Sequence, residues 1–139
     1  MELKHTGKLT QATPGSAGLD VYSAQEVTIV PTEIKLVRTG LYLEIPKNHV
    51  GLLCSRSGLA KELHLAVFNQ PGVIDSDYRG EVGVLLRNYA SRPYTIQSGD
   101  RIAQLVILKT PVLKLSATDT SSMSTTERGV SGFGSSGNK

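Results

Sequence analysis

Residues 72–88 read GVIDSDYRGEVGVLLRN, and this stretch decides the fold class. A short apolar run stands on each side of a polar turn, which is typical of a β-hairpin. In the second run Val84, Leu85 and Leu86 are consecutive, so a strand here needs cover on both of its faces. A chain of 139 residues has few residues available to cover the second face of this strand. We therefore expect a second subunit to cover it, and we predict an oligomer.

Outside this stretch, residues 1–115 form a series of short, β-branched apolar runs that are interrupted by turn residues. Many short strands at such spacing favour a β-sandwich, a jelly roll or a barrel, so the sequence predicts an all-β fold. Residues 57–62 could hold one or two helical turns. The predicted strands are 19–24, 26–30, 34–38, 41–45, 50–54, 63–68, 81–88, 94–97 and 102–109.

Composition and charge exclude several classes of protein. Hydrophobic residues make up 39% of the chain, and 15 Lys and Arg against 12 Asp and Glu give a net charge of +3. This charge suits an anionic ligand but is too small to predict direct binding to nucleic acid. Apolar runs stay far below the ~18 residues of a membrane span, and the N-terminus lacks the apolar core of a signal peptide. We expect a soluble protein of the cytoplasm or nucleus that is neither secreted nor bound to a membrane.

Motifs for a protein metal cage or a P-loop are missing from the sequence. The single cysteine, Cys54, excludes a disulfide framework, and the histidines His5, His49 and His64 are scattered without metal-ligand spacing. No GxxxxGK[ST] loop and no GxSxG nucleophile elbow is present. A P-loop site and a serine-hydrolase site therefore have no support.

Residues 116–139 form a second segment, rich in Ser, Thr and Gly, with no Leu or Ile. We predict a flexible linker and then an arm, RGVSGFGSSG, that begins at Arg128. Glycine backbone N–H groups and an arginine suit an anion, and the ring of Phe133 offers a flat apolar face. The arm could close as a lid over something flat and phosphorylated, and composition alone supports a disordered tail equally well.

Three places in the core have side chains suited to chemistry on an anion. Asp75 and Asp77 lie on one side of an extended segment, where a carboxylate beside Val73-Ile74 could deprotonate water or could cap the turn. The triplet Arg56-Ser57-Gly58 follows a strand and could form an anion site or a plain surface turn. Gln104 interrupts an apolar strand, and a buried amide requires hydrogen-bond partners.

Five segments, taken together and in order, resemble the five motifs of the trimeric dUTPase family, the deoxyuridine triphosphate nucleotidohydrolases. They read PGSAGLDVYSA, SRSGLA, GVIDSDYRGEVGVLLRN, GDRIAQL and RGVSGFGSSG, and they span residues 14–137. The resemblance implies a jelly-roll β-sandwich of the β-clip type that forms a homotrimer. It also implies active sites at subunit contacts, with residues 1–115 as the core and residues 116–139 as a linker and an arm that closes a neighbour's site.

The same resemblance implies a dUTP diphosphatase, which hydrolyses dUTP to dUMP and pyrophosphate. Asp75 matches the catalytic aspartate that activates the attacking water, Tyr78 matches the tyrosine that packs against deoxyribose, and Phe133 matches the ring that stacks on uracil. The other implied substrate contacts are Arg56, Ser57, Gly58, Asn69, Gly72, Val73, Ile74, Gly83, Gln104, Arg128, Gly134, Ser135 and Ser136.

Mg²⁺ is the cofactor that the resemblance implies, held mainly through substrate phosphates and water. Asp20, at the start of a strand, matches an aspartate that reaches the water shell of the metal or braces the site. Ser131 stands where the family commonly has glycine. If that position requires a positive φ, we expect a changed KM rather than lost activity.

Two other interpretations stay open. A dCTP deaminase shares the fold and needs a glutamate as base, and Glu81 is the only acid just beyond the turn of residues 72–88. A non-catalytic trimeric β-protein could bind a partner through the same pocket. The arm and the filled motif positions rank both below the hydrolase.

Overall fold

The computed structural model of the protein describes residues 2–132. Most regular structure in this range is β-strand, as the apolar pattern predicts. A π-helical turn at Leu59–Leu63 and a 3-10 turn at Thr120–Ser122 are also present. The strands are β1 (Lys4–Thr6), β2 (Leu9–Gln11), β3 (Gly18–Tyr22), β4 (Val27–Ile29), β5 (Ile34–Val37), β6 (Tyr42–Glu44), β7 (His49–Cys54), β8 (Leu65–Val67), β9 (Gly72–Ile74), β10 (Val84–Asn88), β11 (Tyr94–Ile96) and β12 (Arg101–Lys109).

Two antiparallel sheets provide most of the core. The larger has five strands in the order β2-β3-β12-β7-β9, and the smaller has three in the order β5-β10-β8. Two further pairs join β1 to β6 and β4 to β11. Alternate residues of both sheets enter one apolar cluster, in which Val21 and Leu105 of the larger sheet and Val84 and Leu86 of the smaller are fully buried. This arrangement is a β-sandwich of jelly-roll type, which confirms the predicted fold class.

The predicted strands are all present, most of them slightly shorter than predicted. Strands β1 and β2 are not predicted, because the sequences KHT and LTQ are short and polar. They become strands by pairing with β6 and β3. The helical turn predicted for residues 57–62 is the π-helical turn Leu59–Leu63.

Residues 72–88 do not form the paired hairpin that the sequence predicts. β9 pairs with β7 in the larger sheet, whereas β10 pairs with β5 and β8 in the smaller one. The returning chain is held beside the β5–β6 connection, because the N–H of Val82 donates to the carbonyl of Leu41 at 2.8 Å. The hydroxyl of Thr39 donates in turn to the carbonyl of Val82. The two arms therefore diverge, and a cavity opens between them.

Strand β10 has one buried face and one open face in the single chain. Val84, Leu86 and Asn88 are fully buried, whereas Leu85 is only partly covered. Its cross-strand partner Leu36 is 59% exposed. This apolar face is the surface for which the sequence predicts cover from a second subunit.

Beyond β12 the described chain lies on the surface, and residues 111–131 are exposed. The positive φ in the described part of the arm belongs to Gly129, at +53°, and not to Ser131. Serine at position 131 is therefore not strained here. The division into a core of residues 1–115 and an arm of residues 116–139 stays a prediction. Between residues 2 and 132, no helix is long and apolar enough to cross a membrane.

Candidate active site

A cavity of about 510 Å³ opens between β9 and the returning segment 81–85. Because β9 is the edge strand of the larger sheet, its backbone pairs with β7 on one side only. Backbone donors and acceptors at a sheet edge can read the hydrogen-bond pattern of a flat heterocycle. The lining residues are Leu36, Arg38, Leu53, Asn69, Gly72, Val73, Ile74, Tyr78, Glu81, Val82, Gly83 and Leu85.

Part of the predicted substrate set meets in this cavity, which we call the β9 cavity. A Cβ atom at Gly83 would lie 2.6 Å from Leu36 Cδ1, so glycine there leaves space for the Leu36 side chain beside it on the same wall of the cavity. The predicted residues that line the cavity are Asn69, Gly72, Val73, Ile74, Tyr78 and Gly83.

Tyr78 is fixed in place by its own loop. Its hydroxyl donates to the carbonyl of Glu81 at 3.0 Å. The ring lies so close to Gly80 that a Cβ atom at that position would overlap the phenol. Arg79 Nη1 also donates to the carbonyls of Ser76 and Tyr78, at 2.8 Å each. The loop therefore presents the ring of Tyr78, a residue that is 47% exposed, as one wall of the β9 cavity.

Glu81 joins the same loop to the end of β5. Arg38 donates to Glu81 Oε2 from Nε at 3.1 Å and from Nη2 at 3.0 Å. The backbone N–H groups of Thr39 and Gly40 donate to Oε1 at 3.1 and 2.8 Å. The N–H of Gly40 and the guanidinium of Arg38 lower the pKa of Glu81, because both stabilise its carboxylate. With both oxygens engaged, Glu81 is poorly placed to serve as the base of a deaminase.

Asp75 directly follows β9, next to the β9 cavity. It lines a second cavity of about 620 Å³ together with Asp77, and Val73 lines both cavities. Ser76, between the two aspartates, lines the same cavity, because residues 76 and 77 form a turn and not the extended segment on which the predicted alternation depends. The carbonyl of Asp75 accepts the N–H of Tyr78 at 3.1 Å, which fixes the start of the loop. The side chain is exposed, and an exposed carboxylate on a fixed turn can orient a water molecule.

A third cavity, of about 440 Å³, collects charged residues from other segments, and we call it the Asp20 cavity. Asp20 Oδ1 accepts Arg56 Nε at 3.0 Å, and Oδ2 accepts Arg101 Nη1 at 3.4 Å. Arg56 Nη1 also donates to the carbonyl of Arg101 at 3.3 Å. Two guanidinium groups around one carboxylate leave positive charge at the cavity, which suits an anion.

Gln104 lies in the wall of the Asp20 cavity, within β12. Its Nε2 donates to the carbonyl of Ser55 at 2.8 Å, which supplies the partner that a half-buried amide requires. Its Oε1 lies over Gly18, where a Cβ atom would overlap it. The exposed residues Ser57 and Gly58 complete the predicted residues at this cavity.

One chain does not bring all the predicted site residues together. The β9 cavity and the Asp20 cavity share no lining residue. Arg128 lies in the exposed part of the chain, where its Nε donates to the carbonyl of Ser131 at 2.9 Å. The candidate residues of the described chain therefore fall into separate groups: the β9 cavity, the Asp20 cavity and the exposed Arg128. The predicted residues that lie outside the described residues are Phe133, Gly134, Ser135 and Ser136.

Sequence reasoning does not predict the partners that hold the site in place. Arg38 is 43 positions from Glu81, and only the folded sheets bring the two together. Arg101 has a local signal, because it stands in the segment GDRIAQL with Gln104, but that segment also fits a plain turn with a charge pair. Its contact with Asp20 spans 81 positions.

The donor set fits Mg²⁺ only as an ion that arrives on phosphates. Among residues 2–132, no three His, Cys, Asp or Glu side chains lie close enough together to hold a metal ion. Both oxygens of Asp20 accept hydrogen bonds from arginines, which favours bracing over a contact with a metal's water shell. Mg²⁺ is commonly bound through substrate phosphates with few protein ligands.

Comparisons with known sequences agree with one another. The family model for dUTPase matches residues 5–137. The deoxyuridine 5'-triphosphate nucleotidohydrolase of Methylocella silvestris is 50% identical over 127 residues, which cover 88% of this chain and 78% of that protein. The protein of the same name from Anaeromyxobacter sp. is 50% identical over 125 residues, which cover 90% of this chain and 84% of that protein.

Solved structures of similar fold come from staphylococcal phages. The dUTPase of Staphylococcus bacteriophage 80alpha with dUPNHPP has a TM-score of 0.83 at 31% identity and covers 98% of each chain. A mutant of the phage 80alpha dUTPase reaches a TM-score of 0.87 at 28% identity, over 96% of this chain and 98% of that one. A mutant dUTPase of phage phi11 of S. aureus, described with a structural Mg(II) ion, has a TM-score of 0.80 at 26% identity, over 86% of this chain and 97% of that one.

Proposed function

The chain belongs to the dUTPase family, and we propose that it hydrolyses dUTP to dUMP and pyrophosphate. The observation that supports this most directly is the β9 cavity, whose edge-strand backbone lies next to the carboxylate of Asp75. The reaction limits uracil incorporation into DNA and supplies dUMP for dTMP synthesis. We therefore place the enzyme in the cytoplasm or nucleus, where deoxynucleotides are made.

Uracil is selected by backbone groups in the β9 cavity. The edge of β9 at Val73 and Ile74, with Gly83 on the opposite wall, offers donors and acceptors that can match uracil and mismatch the reversed pattern of cytosine. A methyl group on thymine would have to fit between β9 and Gly83, and we infer that the walls of the cavity exclude it there. The amide of Asn69 lines the same space and adds a polar contact.

Tyr78 selects the sugar. Its ring forms a wall of the β9 cavity and is held by the bond from its hydroxyl to Glu81. A ring packed flat against deoxyribose leaves no space for a 2′-hydroxyl, so UTP is excluded by steric overlap.

Asp75 orients a water molecule towards the α-phosphorus and takes a proton from it as the new O–P bond forms. The bond from the α-phosphorus to the oxygen that bridges to the β-phosphate breaks, and its electron pair leaves with pyrophosphate. The proton then passes to solvent, which returns Asp75 to its carboxylate form. General-base assistance of this kind typically contributes about 10²–10⁴ in rate.

The Asp20 cavity neutralises and positions the phosphates. Arg56, Ser57 and Gly58 bind phosphate oxygens, and Gln104 contacts the α-phosphate side. Mg²⁺ bound to the triphosphate would supply further neutralisation of charge. Asp20 braces Arg56 through the 3.0 Å ion pair and thereby fixes the direction of its free donors.

A homotrimer completes each site. Because the β9 and Asp20 cavities share no residue, we assign them to different copies of the chain at each subunit contact. The arm of a neighbouring copy closes the site, with Phe133 stacking on uracil. The γ-phosphate contacts in the arm are Arg128, Gly134, Ser135 and Ser136. Closure excludes bulk water from the reaction.

The proposal is tested by supplying Mg²⁺ with dUTP, dCTP, dTTP or UTP and measuring pyrophosphate and the nucleotide product. We expect pyrophosphate and dUMP from dUTP only. Asp75→Asn should lower the rate by about 10²–10⁴. The matched control is Asp77→Asn, a carboxylate two residues away on the same cavity, which should stay close to wild type.

Other outcomes identify other functions. Deamination of dCTP would replace the hydrolase with a deaminase and would remove the role of Asp75. A folded protein that binds dUTP but releases no pyrophosphate would be a binding module.

A further inference from the structure

We propose that Glu81 is a positioning residue that sets Tyr78 against the sugar and thereby sets the selectivity for dUTP over UTP. The inference rests on the proposed function, because it takes the ring of Tyr78 as the wall that excludes a 2′-hydroxyl. Glu81 itself acts through Tyr78 and not on the reacting atoms.

The carboxylate of Glu81 accepts more hydrogen bonds than a single surface ion pair would provide. Oε2 accepts two hydrogen bonds from Arg38, and Oε1 accepts the N–H groups of Thr39 and Gly40, at 2.8 to 3.1 Å. Only 19% of the Glu81 side chain is exposed, although Arg38 is 68% exposed. We call these four residues the Glu81 anchor. Two backbone donors do not move with a flexible side chain, so the anchor fixes residue 81 to the body of the protein.

A single hydrogen bond connects the Glu81 anchor to the ring of Tyr78. The backbone carbonyl of Glu81 accepts the hydroxyl of Tyr78 at 3.0 Å, so any shift of residue 81 moves the acceptor that holds the phenol. Gly80 allows the ring to fold back over the chain, because any Cβ atom there would overlap it. The rest of the loop is held internally, through Arg79 and the carbonyls of Ser76 and Tyr78. The loop therefore moves as a unit with residue 81.

Sugar selection depends on a small distance. The difference between deoxyribose and ribose is one hydroxyl group, so a wall that retreats by about 1 Å excludes it far less well, and a displacement of about 1 Å can change a rate by about 10²-fold. Arg38, Tyr78 and Glu81 all line the β9 cavity, so loss of the anchor loosens the wall where the sugar must lie. The value of kcat/KM for UTP should therefore rise relative to the value for dUTP.

The experiment measures kcat/KM for dUTP and for UTP in a set of purified variants. In Glu81→Ala and in Arg38→Ala we expect the ratio of the two values to fall at least about tenfold, mainly through faster use of UTP. Glu81→Gln keeps one acceptor oxygen for the Thr39 and Gly40 N–H groups, although its NH2 group cannot accept from Arg38, and it should recover part of the ratio. Glu44→Ala is the matched control, because Glu44 also pairs with a cation, Lys4 at 3.3 Å, but lies outside the cavity.

A double variant tests the connection itself. If Glu81 acts through Tyr78, the change in the dUTP/UTP ratio in Glu81→Ala with Tyr78→Phe should be smaller than the product of the two single changes. An unchanged ratio in folded Glu81→Ala overturns the proposal, and an unchanged ratio in Arg38→Ala as well would exclude any part for the anchor. A ratio that moves equally in Glu44→Ala also overturns the proposal. These outcomes differ from a failure of the proposed function, in which the wild-type protein itself would not hydrolyse dUTP.

Discussion

Single acidic residues have separate tasks in this site, and their hydrogen bonds decide which task each one has. Glu81 accepts from Arg38 and from two backbone N–H groups, and Asp20 accepts from two arginines. A carboxylate with both oxygens engaged can position other groups but is poorly placed to take a proton from water. Asp75 is exposed and directly follows β9, so its carboxylate is open to a water molecule in the way that the proposed reaction requires.

The hydrogen bonds to Glu81 predict a pH-dependent stability. They lower its pKa below the ordinary value of 4.5, so its carboxylate contributes stability that is present above about pH 4.5 and is lost as the pH falls through the lowered pKa. Glu81→Gln removes this charge at every pH. We expect the wild type to exceed the variant in free energy of unfolding at neutral pH, and the difference to shrink as the pH falls below about 4.5.

Urea unfolding of both proteins at a series of pH values measures this difference. Glu26→Gln serves as the control, because Glu26 is exposed, and it should give a small difference that changes little with pH. A difference for Glu81→Gln that stayed constant as the solution was acidified would contradict the role of its carboxylate.

Among the elements, strand β12 contributes both to the core and to the candidate site. It has 9 residues and lies between β3 and β7 in the larger sheet. Leu105 enters the core, whereas the preceding residue, Gln104, lines the Asp20 cavity. Alternation along one strand therefore places an apolar anchor and a polar contact side by side.

A pair of leucines in β12 tests the contribution of packing. Leu105→Ala removes a fully buried side chain and should lower the free energy of unfolding by about 2–5 kcal/mol. Leu108→Ala, in the same strand but 47% exposed, should cost much less. Chemical denaturation of the two variants beside the wild type measures both effects, and equal losses would show that the two positions are packed alike.

The pattern of apolar residues along the sequence is a local signal, and it predicts the strands that bury one or both of their faces. It does not predict β1 and β2, whose polar residues become strands through their partners. It also predicts the wrong partner for β9, because a turn between two apolar runs indicates a hairpin whether or not the arms pair. The resemblance supplies Asp75 and Tyr78 as candidate residues, but Arg38 has no local signal, since its contact with Glu81 depends on how distant strands are placed.

For the whole molecule, the separation of the β9 and Asp20 cavities has the largest consequence. Neither cavity has both the proposed base and the proposed phosphate-binding arginine. Leu85 and Leu36, on the open face of β10 and β5, line the β9 cavity, so a second copy that covered this face would also close the cavity. If one site takes its two cavities from different copies, as we propose, assembly is required for activity and not only for stability.

Mixed oligomers test whether sites are shared between copies. Asp75→Asn damages the β9 side and Arg56→Ala damages the Asp20 side, so each variant alone should be nearly inactive. If each site takes its two sides from different copies, random co-assembly of equal amounts should restore about a quarter of the sites. Pyrophosphate release after the two proteins are refolded together measures the recovery.

The control for this experiment combines two defects of the same side, Asp75→Asn with Asp75→Ala, which no exchange of subunits can repair. No recovery in the first mixture, from proteins that do form mixed oligomers, would place both sides of the site in one chain.

The central position of β12 in its sheet also determines the order in which parts of the native protein open to solvent. Its amide hydrogens are bonded to neighbours on both sides, so they should be among the last to exchange with solvent deuterium, whereas amides in the exposed segment 111–131 should exchange first. The edge strand β9 should fall between them. The bound nucleotide would then contact β12, which opens only when the whole protein unfolds, and also β9 and the exposed segment, which open far more often. The lifetime of the closed complex would depend on how often β9 and the exposed segment open.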